Sequence, residues 1–172
     1  RKYILFGANY QTDRKGGDLL MNSLKHLTEE NNVTVLTFGG VDRNSSESVV
    51  PVHNLGYISD DNDISLLYST ADATVVPSRE DNLPNVAVES MVSGTPVIAF
   101  NIGGLPDIVT HKQTGYLSEA FDVQDLANGI KWASSKSREL LSESCRKAGV
   151  KKFSSAKIAE RYSELYQEEL ML

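Results

Sequence analysis

Short apolar runs alternate with stretches of helical periodicity along the whole chain. The runs at residues 2–8, 33–39, 52–58, 73–77, 96–100 and 115–118 are mostly rich in β-branched side chains and bounded by Gly, Pro, Asn or Asp, which predicts six strands. Several are almost continuously apolar, as strands covered on both faces of a parallel sheet should be. Between them, residues 17–30 carry Leu20, Leu24 and Leu27 on one helical face, and residues 62–70 carry Ile64, Leu67 and Tyr68. Residues 83–93 place Leu83, Val86, Ala87, Ser90 and Met91 in register, with Gly94 as the stop. A short helical turn is expected after Pro106, and residues 123–134, 138–151 and 156–170 predict three closing helices. Residues 44–48 read as a polar loop.

Strands alternating with helices imply right-handed crossovers. The predicted fold is α/β: a single Rossmann-like, doubly wound parallel sheet of about six strands with helices on both faces. The order 3-2-1-4-5-6 puts the switch point between the first and fourth strands, where open α/β sheets bind ligands at the strands' carboxyl ends. Topology alone therefore nominates two loops, residues 9–16 and 78–83.

Composition narrows the classes. The 172 residues fit one domain, 1–172, with a substantial core. A net charge of −6 argues against a nucleic-acid groove or a broad anionic-membrane patch, though not against a local cationic site. The single cysteine, Cys145, rules out an intrachain disulfide framework. It lies in a polar helical stretch and reads as a bystander in a reducing compartment, so a cytoplasmic location is expected. No apolar run approaches membrane-spanning length, and no signal peptide is visible. The sequons at Asn32 and Asn44 read as chance, and His26, His53 and His111 have no mutual metal spacing. Arg1-Lys2 leads straight into the first apolar run without a start methionine, so the chain is expected to be a piece cut at a domain boundary.

Both nominated loops carry chemistry. The first runs from Gly7 to Gly17 and delivers Arg14, Lys15, Gly16 and Gly17 to a helix start. Helix N-termini favour phosphate, a lysine adds a point charge, and an arginine grips two oxygens. It is neither G-x-G-x-x-G nor G-x-x-x-x-G-K-[ST], which disfavours NAD and a P-loop nucleotide site; a solvated basic pair is the bland alternative. The second loop puts Glu80 and Asp81 at an expected helix start, where capping is the bland reading. Glu89 falls inside an otherwise apolar helix, directly beside its packing face. A buried carboxylate needs a partner, either a ribose diol or a neighbouring Lys or Arg.

At these positions the chain resembles the group 1 (family 4) glycosyltransferases. Asp81 and Glu89 have the step of the family's E-x7-E motif. Gly94-Thr95-Pro96-Val97, then Gly103-Gly104-Leu105-Pro106-Asp107 and Thr114-Gly115-Tyr116-Leu117, are very similar to its G-T-P-V, G-G-x-P-E and T-G-x-L. Lys15-Gly16, Ala71-Asp72 and Pro77-Ser78 resemble its K-G, A-D and P-S, and residues 153–170 look like its closing helix. The resemblance covers essentially the whole chain.

What the resemblance implies is the C-terminal half of a GT-B architecture, binding a nucleotide sugar, with a facing acceptor-binding domain absent from this chain. Lys15 would contact the donor diphosphate, Glu89 the ribose, and Asp81, Asn82 and Leu83 the sugar. The base would lie near Tyr57 and Ile58. Lys15, Asp81 and Glu89 form the expected catalytic set. The resemblance further implies retention of anomeric configuration, no metal or other cofactor, a UDP- or GDP-linked donor, and a saccharide or lipid-linked acceptor reached through the other domain. It leaves room for peripheral membrane association of a full-length enzyme, and the chain alone is expected to be inactive in transfer. Two positions depart from the family pattern. Its G-R arginine is replaced by Gly7-Ala8, with Arg14 as candidate substitute, and Asp81 is one carbon short of glutamate, with Glu80 as competitor.

The sequence also offers rival signals. Asp60-Asp61-Asn62-Asp63 contains D-x-D, a metal-binding pattern of other sugar transferases, but it precedes a helix and reads as a cap. A sugar-nucleotide epimerase on the same architecture and a non-enzymatic α/β binding module are the rival functions. The latter wants an acid at the end of the first strand, where Phe6-Gly7-Ala8 has none.

Overall fold

The computed structural model describes residues 1–7, 13–40 and 48–170. Six parallel strands, β1 (Lys2–Gly7), β2 (Val33–Phe38), β3 (Val52–Asn54), β4 (Ala73–Val76), β5 (Val97–Phe100) and β6 (Gly115–Ser118), form one sheet in the order β3-β2-β1-β4-β5-β6. This is the predicted order, with the switch point between β1 and β4. Among the described residues seven α-helices accompany it: α1 (Gly17–Leu24), α2 (Asp61–Thr70), α3 (Asn85–Val92), α4 (Leu105–Ile108), α5 (Val123–Ser134), α6 (Arg138–Phe153) and α7 (Ser155–Leu170).

Strand alternation divides the core between the two faces. Ile4 and Phe6 of β1, Val75 of β4 and Ile98 and Phe100 of β5 pack on one side with Leu20 and Leu24 of α1 and Leu126 and Ile130 of α5. Leu5, one residue out of phase, points the other way, to Phe38, Tyr68 and Ala71. Val76, Val97 and Ala99 meet Ala87 and Met91 of α3 on that same second side. Most of these side chains are wholly buried, each contributing about 1.5–3 kcal/mol relative to exposure.

Several elements are shorter or longer than the pattern predicts. β3 stops at Asn54 rather than residue 58, because the Asn54 carboxamide oxygen accepts from Gly56 N–H (2.8 Å) and Gly56 takes a left-handed φ of +73°. α1 ends at Leu24 rather than residue 30. His26 and Leu27 already bond three residues back, and Thr28 then opens a separate 3₁₀ turn over Glu29–Asn31 with its N–H on the Asn31 side chain. α3 begins at Asn85, since Pro84 is the residue at its N-terminal boundary, so Glu80 and Asp81 are not its caps. It ends before Gly94, which takes φ +86° as expected of a stop. α6 runs two residues further than predicted, to Phe153. The polar stretch at 44–47 and Ala8 lie outside the described residues.

Cys145 is fully buried on the inner side of α6, and its thiol donates to the Thr114 carbonyl (3.2 Å). Burial pushes that thiol up to about 12. The polar residues around it in sequence cover the outer side of a helix whose inner side carries Leu141, Cys145 and Gly149.

Candidate functional site

The loops after β1, β4 and β5 converge at the carboxyl edge of the sheet. Asp13–Lys15 forms a 3₁₀ turn closed by Gly16 N–H on the Asp13 carbonyl (3.1 Å), and Gly16 sits at φ +68° against the next loop. A Cβ there would stand 1.9 Å from the Pro77 carbonyl oxygen, so only glycine allows the two backbones to approach this closely. The turn aims Lys15 across the gap, and its Nζ meets Asp81 Oδ2 at 2.7 Å. Asp81 is held in turn from the third loop: its carbonyl accepts from Gly104 N–H (3.1 Å). Cβ atoms on Gly103 and Gly104 would stand 2.2 and 1.6 Å from the Asp81 and Asn82 carbonyl oxygens.

Arg79 closes the assembly. Its guanidinium holds both carboxylate oxygens of Asp18 (2.8 and 2.6 Å) and the Asp13 carbonyl (2.6 Å), while its own N–H donates to the Arg14 carbonyl (2.8 Å). The Arg79 hydrogen bonds hold the Asp18 carboxyl below its ordinary range. Under the Lys15 turn, Phe6, Gly7, Pro77, Ser78 and Pro84 leave about 10 Å³, room for a water and nothing larger. A larger ligand would therefore lie over the three loops rather than beneath them.

The remaining candidates are placed by the elements that carry them. Arg14 is exposed beside Lys15. Asn82 and Leu83 are exposed on the loop before α3, and Glu80 is exposed next to Asp81. Glu89 is also exposed, which corrects the expectation of a carboxylate buried beside the packing face. It stands on the rim of α3, where Ala87, Ser90 and Met91 take the inner positions. Among the described residues its partner is neither Lys nor Arg: the Tyr68 hydroxyl donates to Glu89 Oε2 (3.2 Å). Tyr57 is 82% exposed after β3, and Ile58 packs against the cluster that contains Tyr68. Away from the centre, Asp60 caps α2 by accepting from Asn62 and Asp63 N–H (2.8 and 3.3 Å), the role its sequence position predicts. Those bonds lower its pKa. His111 accepts from Leu117 N–H at Nδ1 (3.0 Å).

The sequence pattern did not single out Arg79 or Tyr68. Arg79 lies in a nominated loop, but its partner Asp18 is 61 residues away. Tyr68 shows only helical register, which places its ring and says nothing of its hydroxyl.

Residues 1–136 match the protein family described as Glycosyl transferases group 1. The chain belongs to that family. Among its relatives, an uncharacterized glycosyltransferase of Methanocaldococcus jannaschii is 28% identical over 176 residues, covering 96% of this chain and 45% of that protein. Spore coat protein SA of Bacillus subtilis is 27% identical over 190 residues, covering 97% of this chain and 49% of that protein. The chain thus spans about half the length of these two relatives. Among solved structures, Anabaena HepE in complex with UDP and glucose superposes with a TM-score of 0.78 at 21% identity, over 96% of this chain and 48% of that one. Sucrose-phosphate synthase from Thermosynechococcus elongatus gives 0.76 at 27% identity, over 99% and 46%. In this member of the group 1 glycosyl transferase family, the six-stranded sheet is Rossmann-like, and the interlocked loops lie at its switch point. No helix among the described residues is long and apolar enough to cross a membrane.

Proposed function

We propose that this chain holds a nucleotide-sugar donor and, together with a facing acceptor-binding domain, transfers the glycosyl group with retention of anomeric configuration. The observation that carries the reading is the Lys15–Asp81 contact, which brings the cation assigned here to the diphosphate against the acid assigned here to the sugar, at the switch point. In this reading, Lys15 neutralises the charge that collects on the diphosphate oxygen as its bond to the anomeric carbon breaks. That charge is greatest at the transition state, where the stabilisation counts most. Arg14, exposed on the same turn, adds a second cation. Asp81 shares its carboxylate between Lys15 and sugar hydroxyls, the Asn82–Leu83 backbone completes the sugar contacts, Glu89 accepts from the ribose diol, and the base rests near Tyr57 and Ile58. No divalent metal is required, because Lys15 and the N-terminus of α1 supply the positive field. In the cation-holding alternative, Asp60–Asp63, the Asp60 carboxylate is engaged as the cap of α2.

UDP in the Anabaena HepE complex supports a nucleoside diphosphate as the leaving group, with UDP- or GDP-linked sugars the donors to try first. The acceptor, a saccharide or a lipid-linked saccharide, comes through the facing domain, and a lipid acceptor would bring the full-length enzyme to a membrane surface. Without that domain the acceptor is not held in attack geometry, and such positioning can supply several kcal/mol of the barrier. The chain alone is therefore expected to bind donor without useful transfer.

Calorimetry with UDP, GDP and the matching nucleosides tests the site. Lys15→Ala should weaken the preferred diphosphate about 10- to 100-fold, as loss of a charge-assisted hydrogen bond predicts, and leave the nucleoside unchanged. EDTA should change neither. Equal losses for nucleoside and diphosphate, or binding abolished by EDTA, would remove Lys15 or the metal-free reading respectively.

A further inference from the structure

Tyr68 is 1% exposed, yet its hydroxyl reaches the exposed Glu89 on α3. The ring is fixed on several sides. It packs edge-to-face on Phe38, with centroids 6.0 Å apart and planes at 76°. Its backbone carbonyl accepts from the Thr95 hydroxyl and from Ala71 N–H (3.2 Å). The Thr95 carbonyl accepts in turn from Ser90 of α3 (3.0 Å), so α2 and α3 are tied together beneath Glu89. The side chain's one polar atom then donates to Glu89 Oε2. Burial, reinforced by that carboxylate, pushes the phenol well above its ordinary value, so it remains a proton donor throughout the neutral range.

An exposed glutamate on a helix rim has three side-chain torsions and samples many rotamers. A buried, rigid donor holding one of its oxygens removes most of that freedom before any ligand arrives. A carboxylate accepts about four hydrogen bonds, so among the described residues Oε1 and the remaining capacity of Oε2 are left for another partner. We propose that Tyr68 is a positioning residue for ribose recognition: it holds Glu89 by Oε2 so that the carboxylate presents its free sites to the 2′- and 3′-hydroxyls of the donor, and it thereby sets preference for ribo- over 2′-deoxyribonucleotides. The inference rests on the reading that Glu89 meets the ribose.

A double-mutant cycle separates the two claims. Calorimetry would compare UDP with 2′-deoxy-UDP, or the corresponding GDP pair if GDP binds more tightly. The proteins are the native chain, Tyr68→Phe, Glu89→Gln and the double variant. Phenylalanine keeps the ring in its packed place, and the ratio of two affinities does not depend on the fraction folded. Tyr68→Phe should lower the ribo/deoxy ratio about 3- to 10-fold, the worth of one hydrogen bond. Glu89→Gln should lower it at least as far, and adding Tyr68→Phe to Glu89→Gln should lower it no further. If Glu89→Gln lowers the ratio and Tyr68→Phe leaves it unchanged, or if the two losses add, Tyr68 does not act through Glu89 and the proposal is overturned. If the native chain shows no preference, or Glu89→Gln retains it in full, the ribose reading falls and Tyr68's role falls with it.

Discussion

At the carboxyl edge of the sheet, three loops press backbone against backbone and are tied by an ion pair and an arginine clamp, whereas α7, sixteen residues long, buries none of its side chains. The first region is ordered by polar contacts and by glycines that take up no space. The second shows apolar surface to solvent: Tyr162, Leu165 and Tyr166 are each about half or more exposed. In most domains the apolar groups carry the order and the polar groups face out. Here two places invert that rule: a loop edge held by charged and backbone contacts, and a helix face whose apolar residues do little for the fold of this chain.

The sharpest way to break that contrast is to push the loops apart. Gly104 has an ordinary φ of −88°, so alanine there would normally stabilise slightly by restricting the unfolded chain. Its Cβ would instead fall 1.6 Å from the Asn82 carbonyl oxygen, and both atoms belong to fixed backbone. Gly104→Ala should therefore destabilise by about 1–3 kcal/mol, the usual range for overpacking, and weaken nucleoside diphosphate binding with it. Urea unfolding reads the first effect and calorimetry the second. A midpoint that stays put or rises would mean that the β4 and β5 loops do not touch.

A milder perturbation removes the clamp and leaves the packing. Arg79→Ala should speed amide exchange over residues 13–18 and lower diphosphate affinity about two- to five-fold, the scale of an exposed ion pair. The pH dependence has a definite sign. Asp18 has a folded pKa below its unfolded value of about 3.9. The pair's contribution is then complete above that pH and disappears as pH falls through the lower, folded value. Native and Arg79→Ala proteins should differ in stability at neutral pH and converge in strong acid. Constant separation down to pH 2 would assign the effect to something other than Asp18.

The two regions also differ in how far the sequence reveals them. Strand order, the switch point and the Lys15 and Asp81 loops follow from apolar periodicity and from where charge interrupts it. The apolar stripe of α7 was equally legible, because Ile158, Tyr162, Leu165 and Tyr166 fall in helical register within a polar stretch. What could not be read was long-range: that Arg79 reaches Asp18, that Tyr68 reaches Glu89, and that Gly104 clears room for the Asn82 backbone. Helical register gives the direction of a side chain and never its partner across 21 or 61 residues. Glu89 was misplaced for a related reason. Its neighbours are apolar, but the helix turns it about 100° from Ser90, which suffices to move it from core to rim.

The smallest expected effect lies at the other pole of the contrast. Substituting Tyr162, Leu165 and Tyr166 together by glutamine removes the apolar stripe of α7 and keeps good helix formers in place. Since these side chains are 57%, 49% and 63% exposed, little buried area is lost. The two tyrosine rings lean on each other with centroids 6.3 Å apart, an i,i+4 pair worth only a few tenths of a kcal/mol. Each substitution should therefore change stability by no more than about 0.5 kcal/mol, and the urea midpoint of the triple variant should stay near the native one. Sedimentation velocity on the same pair of proteins reads the complementary quantity. An apolar face this open favours self-association at high concentration, and the glutamine variant should sediment as the smaller species. A triple variant that unfolds several kcal/mol more easily would show that α7 is packed against the body of the domain in solution, and the difference between the two regions would disappear.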